Sequence, residues 1–277
     1  MDWLSALILG IVQGAAEYLP ISSSGHLVIF RKILGVDLPA DQSLQFDVMV
    51  HAATVLSTIV VLWPMFRKLC AGFFSMKRSP ESLYVWKVLL SCIPVGIVGV
   101  FFKDKVEAIF GEGLPVVGIC LCVTAVLLAF AFFSGFDRKT HKPVSANKGR
   151  DITWLDAFVI GCAQAVAVLP GLSRSGTTIA TGIVIGDKRD KVATFSFIMV
   201  IIPILGEALL DLAKMLRPAA EQASGAIDAG AMIIGFVSAF LVGCAACKWM
   251  IALVKKGQLI WFAVYCLLMG IVCLLWQ

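Results

Sequence analysis

The sequence predicts an all-α polytopic membrane protein, one domain over residues 1–277, built as an inverted internal repeat with six spans and two re-entrant hairpins. Three observations carry this: composition, recurring apolar runs, and a self-match at a fixed offset. Of the 277 residues 60% are hydrophobic and 15% are charged, with a mean hydropathy of +0.93, against about half apolar and a quarter charged in soluble domains. A water-soluble fold cannot hide that much apolar surface. Apolar runs at 46–66, 83–102, 114–135, 193–213, 226–247 and 258–276 are long enough to cross a hydrocarbon core about 30 Å thick. Met1-Asp2-Trp3 lacks a basic n-region, and no removable signal peptide is expected.

The repeat appears when the chain is slid on itself by 151 residues. Trp3, Leu4, Ala6, Gly10, Gln13, Ala16, Ser22, Ser24 and Gly25 then fall on Trp154, Leu155, Ala157, Gly161, Gln164, Ala167, Ser173, Ser175 and Gly176. Chance would give about two such identities over this stretch, so duplication is the better explanation. The expected division is repeat one over 1–135, a linker over 136–152 and repeat two over 153–277. Each repeat opens with an apolar helix too short to span, a Pro/Ser break, and a second short apolar stretch. This pattern reads as re-entrant hairpins over 3–36 and 153–187. A broken backbone at membrane depth is tolerated only where protein or a wet cavity satisfies its free polar groups, so the two breaks mark a site.

Loop charge sets the orientation. Placing 67–82, 136–152, 187–192 and 248–257 in the cytoplasm gives that side fifteen Lys and Arg, against six in the opposite loops. Basic residues in short loops report topology and exclude a nucleic-acid partner. With three crossings per repeat the halves are inverted, and their hairpin tips are expected to meet near the midplane. Eight of the nine cysteines lie in apolar segments, and Cys244-x-x-Cys247 has no second Cys or His cluster nearby, so core packing is the expected role.

The chemistry concentrates in the breaks. Gly10, Gln13, Gly14 and Glu17 share one helical face, and Glu17 is the lone carboxylate in its apolar segment. An ionisable group there is expensive enough to imply function, the ordinary alternative being a helix-end Glu that snorkels to water. Ser22, Ser23, Ser24, Gly25 and His26 follow, with hydroxyls and amides at the start of the second short helix, an arrangement suited to an anion or to plain capping. His26 can carry a proton or attack phosphorus, whereas His51 reads as a satisfied core histidine. In the second repeat Ser173, Arg174, Ser175, Gly176 and Thr178 occupy the equivalent break. Here Arg174 supplies a guanidinium able to grip phosphate oxygens in two places, or to pair with Glu17.

Gln13-x-x-x-Glu17, Pro-x-Ser-Ser-x-Gly-His at 20–26 and Pro-Gly-x-Ser-Arg-Ser-x-x-Thr at 170–178 resemble the signature elements of the bacterial undecaprenyl-diphosphate phosphatases, the bacitracin-resistance proteins. The resemblance extends over the whole chain. It implies hydrolysis of undecaprenyl diphosphate to undecaprenyl phosphate and inorganic phosphate, which recycles the lipid carrier of peptidoglycan synthesis. It further implies a plasma-membrane location with a site open to the periplasmic side, and a divalent cation, Mg²⁺ or Ca²⁺. This chain carries Gln13 where many members carry Glu, which leaves Glu17 the main carboxylate for that cation.

Together these readings assign Glu17, Ser23, His26 and Arg174 to catalysis and Glu17 with Gln13 to the metal. Gln13, Ser22, Ser24, Gly25, Ser173, Ser175, Gly176 and Thr178 are assigned to the substrate. Ser23, His26 and a water are all open as the nucleophile. The expected partners are a polyprenyl diphosphate lipid and membrane lipids, with a homodimer open. A secondary transporter or lipid flippase using the same midplane site is the alternative function.

Overall fold

The computed structural model describes residues 1–75, 78–102, 113–137, 142–143, 149–215 and 227–276. Most of the linker and of the loops 103–113 and 214–225 therefore lie outside the described residues. The side chains of residues 40–41, 136–137, 142–143, 207 and 210–215 are outside them too. Within them the chain is helical apart from a two-residue antiparallel pairing of Phe136–Asp137 with Lys142–Pro143.

The first helix, α1 (Trp3–Ala16), is capped by the Asp2 carboxylate, which accepts from the Ser5 amide; α2 (Ser23–Leu34) ends at Gly35 in the left-handed conformation. Next come α3 (Ala40–Val61), α4 (Trp63–Phe74), α5 (Pro80–Phe101) and α6 (Leu114–Ser134). The second half runs through α7 (Trp154–Val166), α8 (Arg174–Val184), α9 (Arg189–Met199), α10 (Ile201–Met215), α11 (Ala229–Lys256) and α12 (Ile260–Leu275). A reciprocal capping box between Thr153 and Asp156 opens α7.

Four of these helices are long and apolar enough to cross a membrane: Gln42–Val61 within α3, then α5, α6 and α11. Large apolar side chains such as Phe74, Phe101, Val126, Trp261, Leu268 and Leu275 are exposed on the outside, a surface suited to lipid rather than water. The molecule is a multi-pass helical membrane protein.

The apolar run 193–213 is divided at Val200 into α9 and α10. Pro203 explains the division, since it has no N–H to offer the Met199 carbonyl and its ring crowds that oxygen. The freed carbonyl takes the Cys92 thiol instead, at 3.6 Å. The run 258–276 forms a helix of 16 residues, about 24 Å long, somewhat less than the core thickness.

The halves interlock through glycine. A Cβ on Gly10 of α1 would run into the Gly235 carbonyl and Ser238 hydroxyl of α11, and one on Gly161 of α7 would strike the backbone of Ser91 in α5. Each short opening helix therefore presses its bare face on a long helix from the other half, where the missing side chain lets the backbones approach closely. Tyr18, Phe46, Phe195, Leu121, Leu128 and Ile160 fill the buried space between.

Candidate active site

Two equivalent breaks build the site. Ser22 caps α2 by accepting from the Gly25 amide at 3.2 Å, and Ser173 caps α8 by accepting from the Gly176 amide at 3.1 Å. In each case the cap hydroxyl lies 3.4 Å from the next serine but one, Ser24 or Ser175. These hydroxyls and amides satisfy the helix start. Gly25 and Gly176 so serve as capping donors, not as open anion contacts.

The breaks touch one another. Ser175 donates to the Leu19 carbonyl at 3.2 Å, and a Cβ on Gly25 would lie 3.2 Å from the Gly171 Cα. Gly171 has a φ of +85°, which glycine adopts without strain, and an added Cβ would press on Val117 of α6 at 2.7 Å. The second break is further tied to α6 by the Ser173 amide, which donates to Thr124 at 3.1 Å.

Glu17 and Arg174 line one narrow cavity. Tyr18, Thr54, Thr58, Ser175 and Ser196 complete its polar wall, and Val55, Phe197, Val200 and Ile204 form an apolar one. The Glu17 Oε2 accepts from the Gln13 amide at 2.9 Å and from the Ser23 hydroxyl at 2.8 Å. Buried and without a hydrogen-bond partner are Gln13 Oε1 and Arg174 Nη1. Unpaired polar atoms at such depth are costly, which marks them as groups waiting for a ligand. Thr178 instead bonds the Arg174 carbonyl at 2.8 Å and the Ser196 hydroxyl at 2.6 Å, a structural place behind the cavity wall.

His26 lies apart from the cavity lining. It is 2% exposed, with Nδ1 at 2.8 Å from the Ser22 carbonyl and Nε2 at 2.7 Å from the Tyr265 hydroxyl. Both ring nitrogens are engaged, which removes the lone pair that attack on phosphorus requires.

His51 takes the place beside Glu17. Its Nδ1 donates to the Asp47 carbonyl at 2.7 Å while Nε2 faces Glu17 Oε2 at 3.7 Å. Sequence reasoning missed it by treating α3 as a plain span. The signal was the polar series Asp47, His51, Thr54 and Thr58, spaced to share one helical face. Tyr18 was missed too. Its hydroxyl bonds the Thr54 carbonyl and the Ser57 and Thr58 hydroxyls, pinning the first break to α3. Arg31 pairs with Asp47 on the same helix.

Comparison with known proteins places this geometry in context. The family model described as bacitracin resistance protein BacA matches residues 6–272. A protein of Bacteroides thetaiotaomicron named undecaprenyl-diphosphatase is 52% identical over 277 residues, covering all of both chains. One of the same name from Bacteroides fragilis is 52% identical over 98% of this chain and 97% of its own. A third, from Methanobrevibacter smithii, is 38% identical over 98% and 96%.

Proposed function

We propose, from the premise that the chain belongs to the bacitracin resistance protein BacA family, that it hydrolyses undecaprenyl diphosphate to undecaprenyl phosphate and inorganic phosphate. The observation that carries the reading is the cavity Glu17 shares with Arg174, with Ser23 tied to Glu17. A guanidinium with a free Nη1 faces an anion's place, and a hydroxyl already donates to the carboxylate that can take its proton. Phosphoryl transfer asks little more than such positioning and charge neutralisation.

Ser23 Oγ attacks the terminal phosphorus and passes its proton to Glu17 Oε2 as the new O–P bond forms. The bond from that phosphorus to the bridging oxygen breaks, and undecaprenyl phosphate leaves with the bridging oxygen. Glu17 hands that proton to the departing undecaprenyl phosphate and then takes one from the water that attacks the phosphoserine; the phosphorus–Oγ bond breaks, Ser23 Oγ recovers the proton from Glu17, and inorganic phosphate departs. Arg174 holds the phosphoryl oxygens throughout. The isoprenoid tail leaves along Val55, Phe197, Val200 and Ile204, the apolar wall of the same cavity.

A divalent cation, Mg²⁺ or Ca²⁺, fits the donors at hand: the Glu17 carboxylate and the orphaned Gln13 Oε1 are hard oxygen ligands. Among the described residues no cluster of three or more His, Cys, Asp or Glu exists. Bound there, the cation adds charge neutralisation at the diphosphate.

The finer architecture belongs to the same reading. The two breaks are the tips of re-entrant hairpins, the halves are inverted repeats with three crossings each, and the site opens to the periplasmic face of the inner membrane. The matched capping at Ser22 and Ser173 and the crossed packing of α1 on α11 and α7 on α5 support this.

The test is phosphate release from a short isoprenyl diphosphate by purified protein in detergent, where transport has no meaning. Release by the wild type, with the Ser23→Ala variant at least about a thousandfold slower, is the expected result. No release with Mg²⁺ or Ca²⁺ present would turn the reading toward a carrier. Full activity of Ser23→Ala would move the attack from the serine to a water.

A further inference from the structure

Tyr265 stands on α12, in the opposite half of the chain from His26, and is 38% exposed among apolar side chains. A phenolic hydroxyl in such surroundings needs a partner, and it has one in His26 Nε2 at 2.7 Å, with the two rings stacked at 19°. On the other side of the imidazole the Ser22 carbonyl can only accept, so Nδ1 carries the hydrogen. Nε2 of the neutral ring must then accept, and the Tyr265 hydroxyl donates. The carbonyl thereby fixes the tautomer, and the tautomer fixes the direction of the Tyr265 bond.

What the pair holds in place is the turn that aims Ser23. Ser22 has a φ of +71°, the one positive value at a non-glycine residue among those described, a backbone state that persists only when its surroundings enforce it. His26 bonds the carbonyl of that same residue, twice, through its ring and through its own amide at 3.1 Å. The next residue, Ser23, reaches Glu17 at 2.8 Å. Beside Tyr265, Cys266 donates to the Pro20 carbonyl at 3.4 Å, so two successive α12 residues grip both ends of the break.

We infer that Tyr265 is a positioning residue for the hydrolysis, acting through the hydrogen-bonded chain Tyr265–His26–Ser22 to hold Ser23 against Glu17. The inference rests on the reading of Ser23 and Glu17 as the reacting pair. His26 is part of the same clamp rather than the group that attacks.

A kinetic double-mutant cycle tests it. Tyr265→Phe removes the hydroxyl and keeps the ring. It is expected to lower kcat by about tenfold while KM stays within about twofold, the loss being one hydrogen bond's worth of alignment. His26→Asn keeps an amide donor near the Nδ1 position and cannot reach Tyr265. In that background Tyr265→Phe should cause no further loss, because the two residues act in series. Additive losses in the double variant, or an unchanged kcat in Tyr265→Phe, overturn the inference. A second readout is independent of turnover: nitrogen-15 spectra of the His26 ring are expected to show hydrogen on Nδ1 in both proteins, with the bare Nε2 signal displaced in Tyr265→Phe, where its donor is gone, and an unmoved Nε2 signal overturns the contact. Hydrogen on Nε2 in the wild type overturns the clamp even if the protein releases no phosphate, an outcome that by itself would count against the proposed reaction.

Discussion

Arg174→Lys probes whether the guanidinium works as a two-pronged clamp or as a simple positive charge. The cavity is lined by Arg174, whose Nη1 is buried and unbonded, and by Glu17, whose side chain is 8% exposed. Lysine keeps the charge but offers a point, not a planar fork, and so surrenders one of two charge-assisted contacts to the phosphoryl oxygens. Such a contact is worth about 1.5–3 kcal/mol, which is roughly 10- to 150-fold in kcat/KM. Arg174→Ala removes both contacts and leaves Glu17 without its cationic neighbour, so a drop of about a thousandfold or more is expected. The assay is phosphate release from a short isoprenyl diphosphate over a range of substrate concentrations. If Arg174→Lys stays within about threefold of the wild type, the fork contributes nothing and the clamp is wrong. If Arg174→Ala retains substantial turnover, the cavity is not where the diphosphate binds.

Two further perturbations test the frame and a carboxylate in the turn after α8. Gly10→Ala and Gly161→Ala each force a methyl into backbone of a facing helix; about 1–3 kcal/mol of overpacking is expected in each, read as a lower melting temperature in detergent, while Gly96→Ala, which meets open space, should melt like the wild type. Equal melting of all three would refute the close approach. Asp187, in the turn after α8, is pushed up to about 7 by burial and by the neighbouring charge of Asp156. Its folded state holds a proton that the unfolded chain releases near pH 4, so its contribution to stability is complete below about pH 4 and is lost as pH rises through about 7. Wild-type melting temperature should therefore fall across that window relative to Asp187→Asn; parallel profiles would show that Asp187 is an ordinary exposed carboxylate.

How far the sequence could be read depended on what each feature costs in a membrane. Glu17, Arg174 and the Ser-rich breaks stood out because charge and broken backbone are expensive in hydrocarbon, and the structure brings Glu17, Arg174 and Ser175 to one cavity. Helix type and most helix positions were legible for the same reason. The break at Val200 was written in Pro203, yet it was obscured by the unbroken apolarity around it. His51 escaped because a histidine costs less than a carboxylate and sits in a long apolar helix. Its role depends on which face of α3 meets Glu17, a tertiary fact.

His26 shows the opposite limit of a local pattern, and its cause generalises. A histidine three residues from a serine, at the start of a buried helix, looks like a catalytic base, because spacing alone cannot say what lies on the ring's far side. Here the far side is filled by Tyr265, 239 positions further along the chain, a contact that no local pattern encodes. The duplication adds to the ambiguity, since Thr177 occupies the matching position in the second break with a hydroxyl that is buried and unbonded. The first break, with Ser22 at positive φ, is bonded by a tyrosine–histidine pair, while the second, with Ser173 in the extended region, is tied to Thr124 of α6. Two copies that share a serine cap but differ in backbone turn and in what braces it are free to diverge in chemistry: one presents an acid and a hydroxyl, the other a guanidinium. The asymmetry of the site therefore resides in the residues that hold the breaks as much as in those that face the cavity.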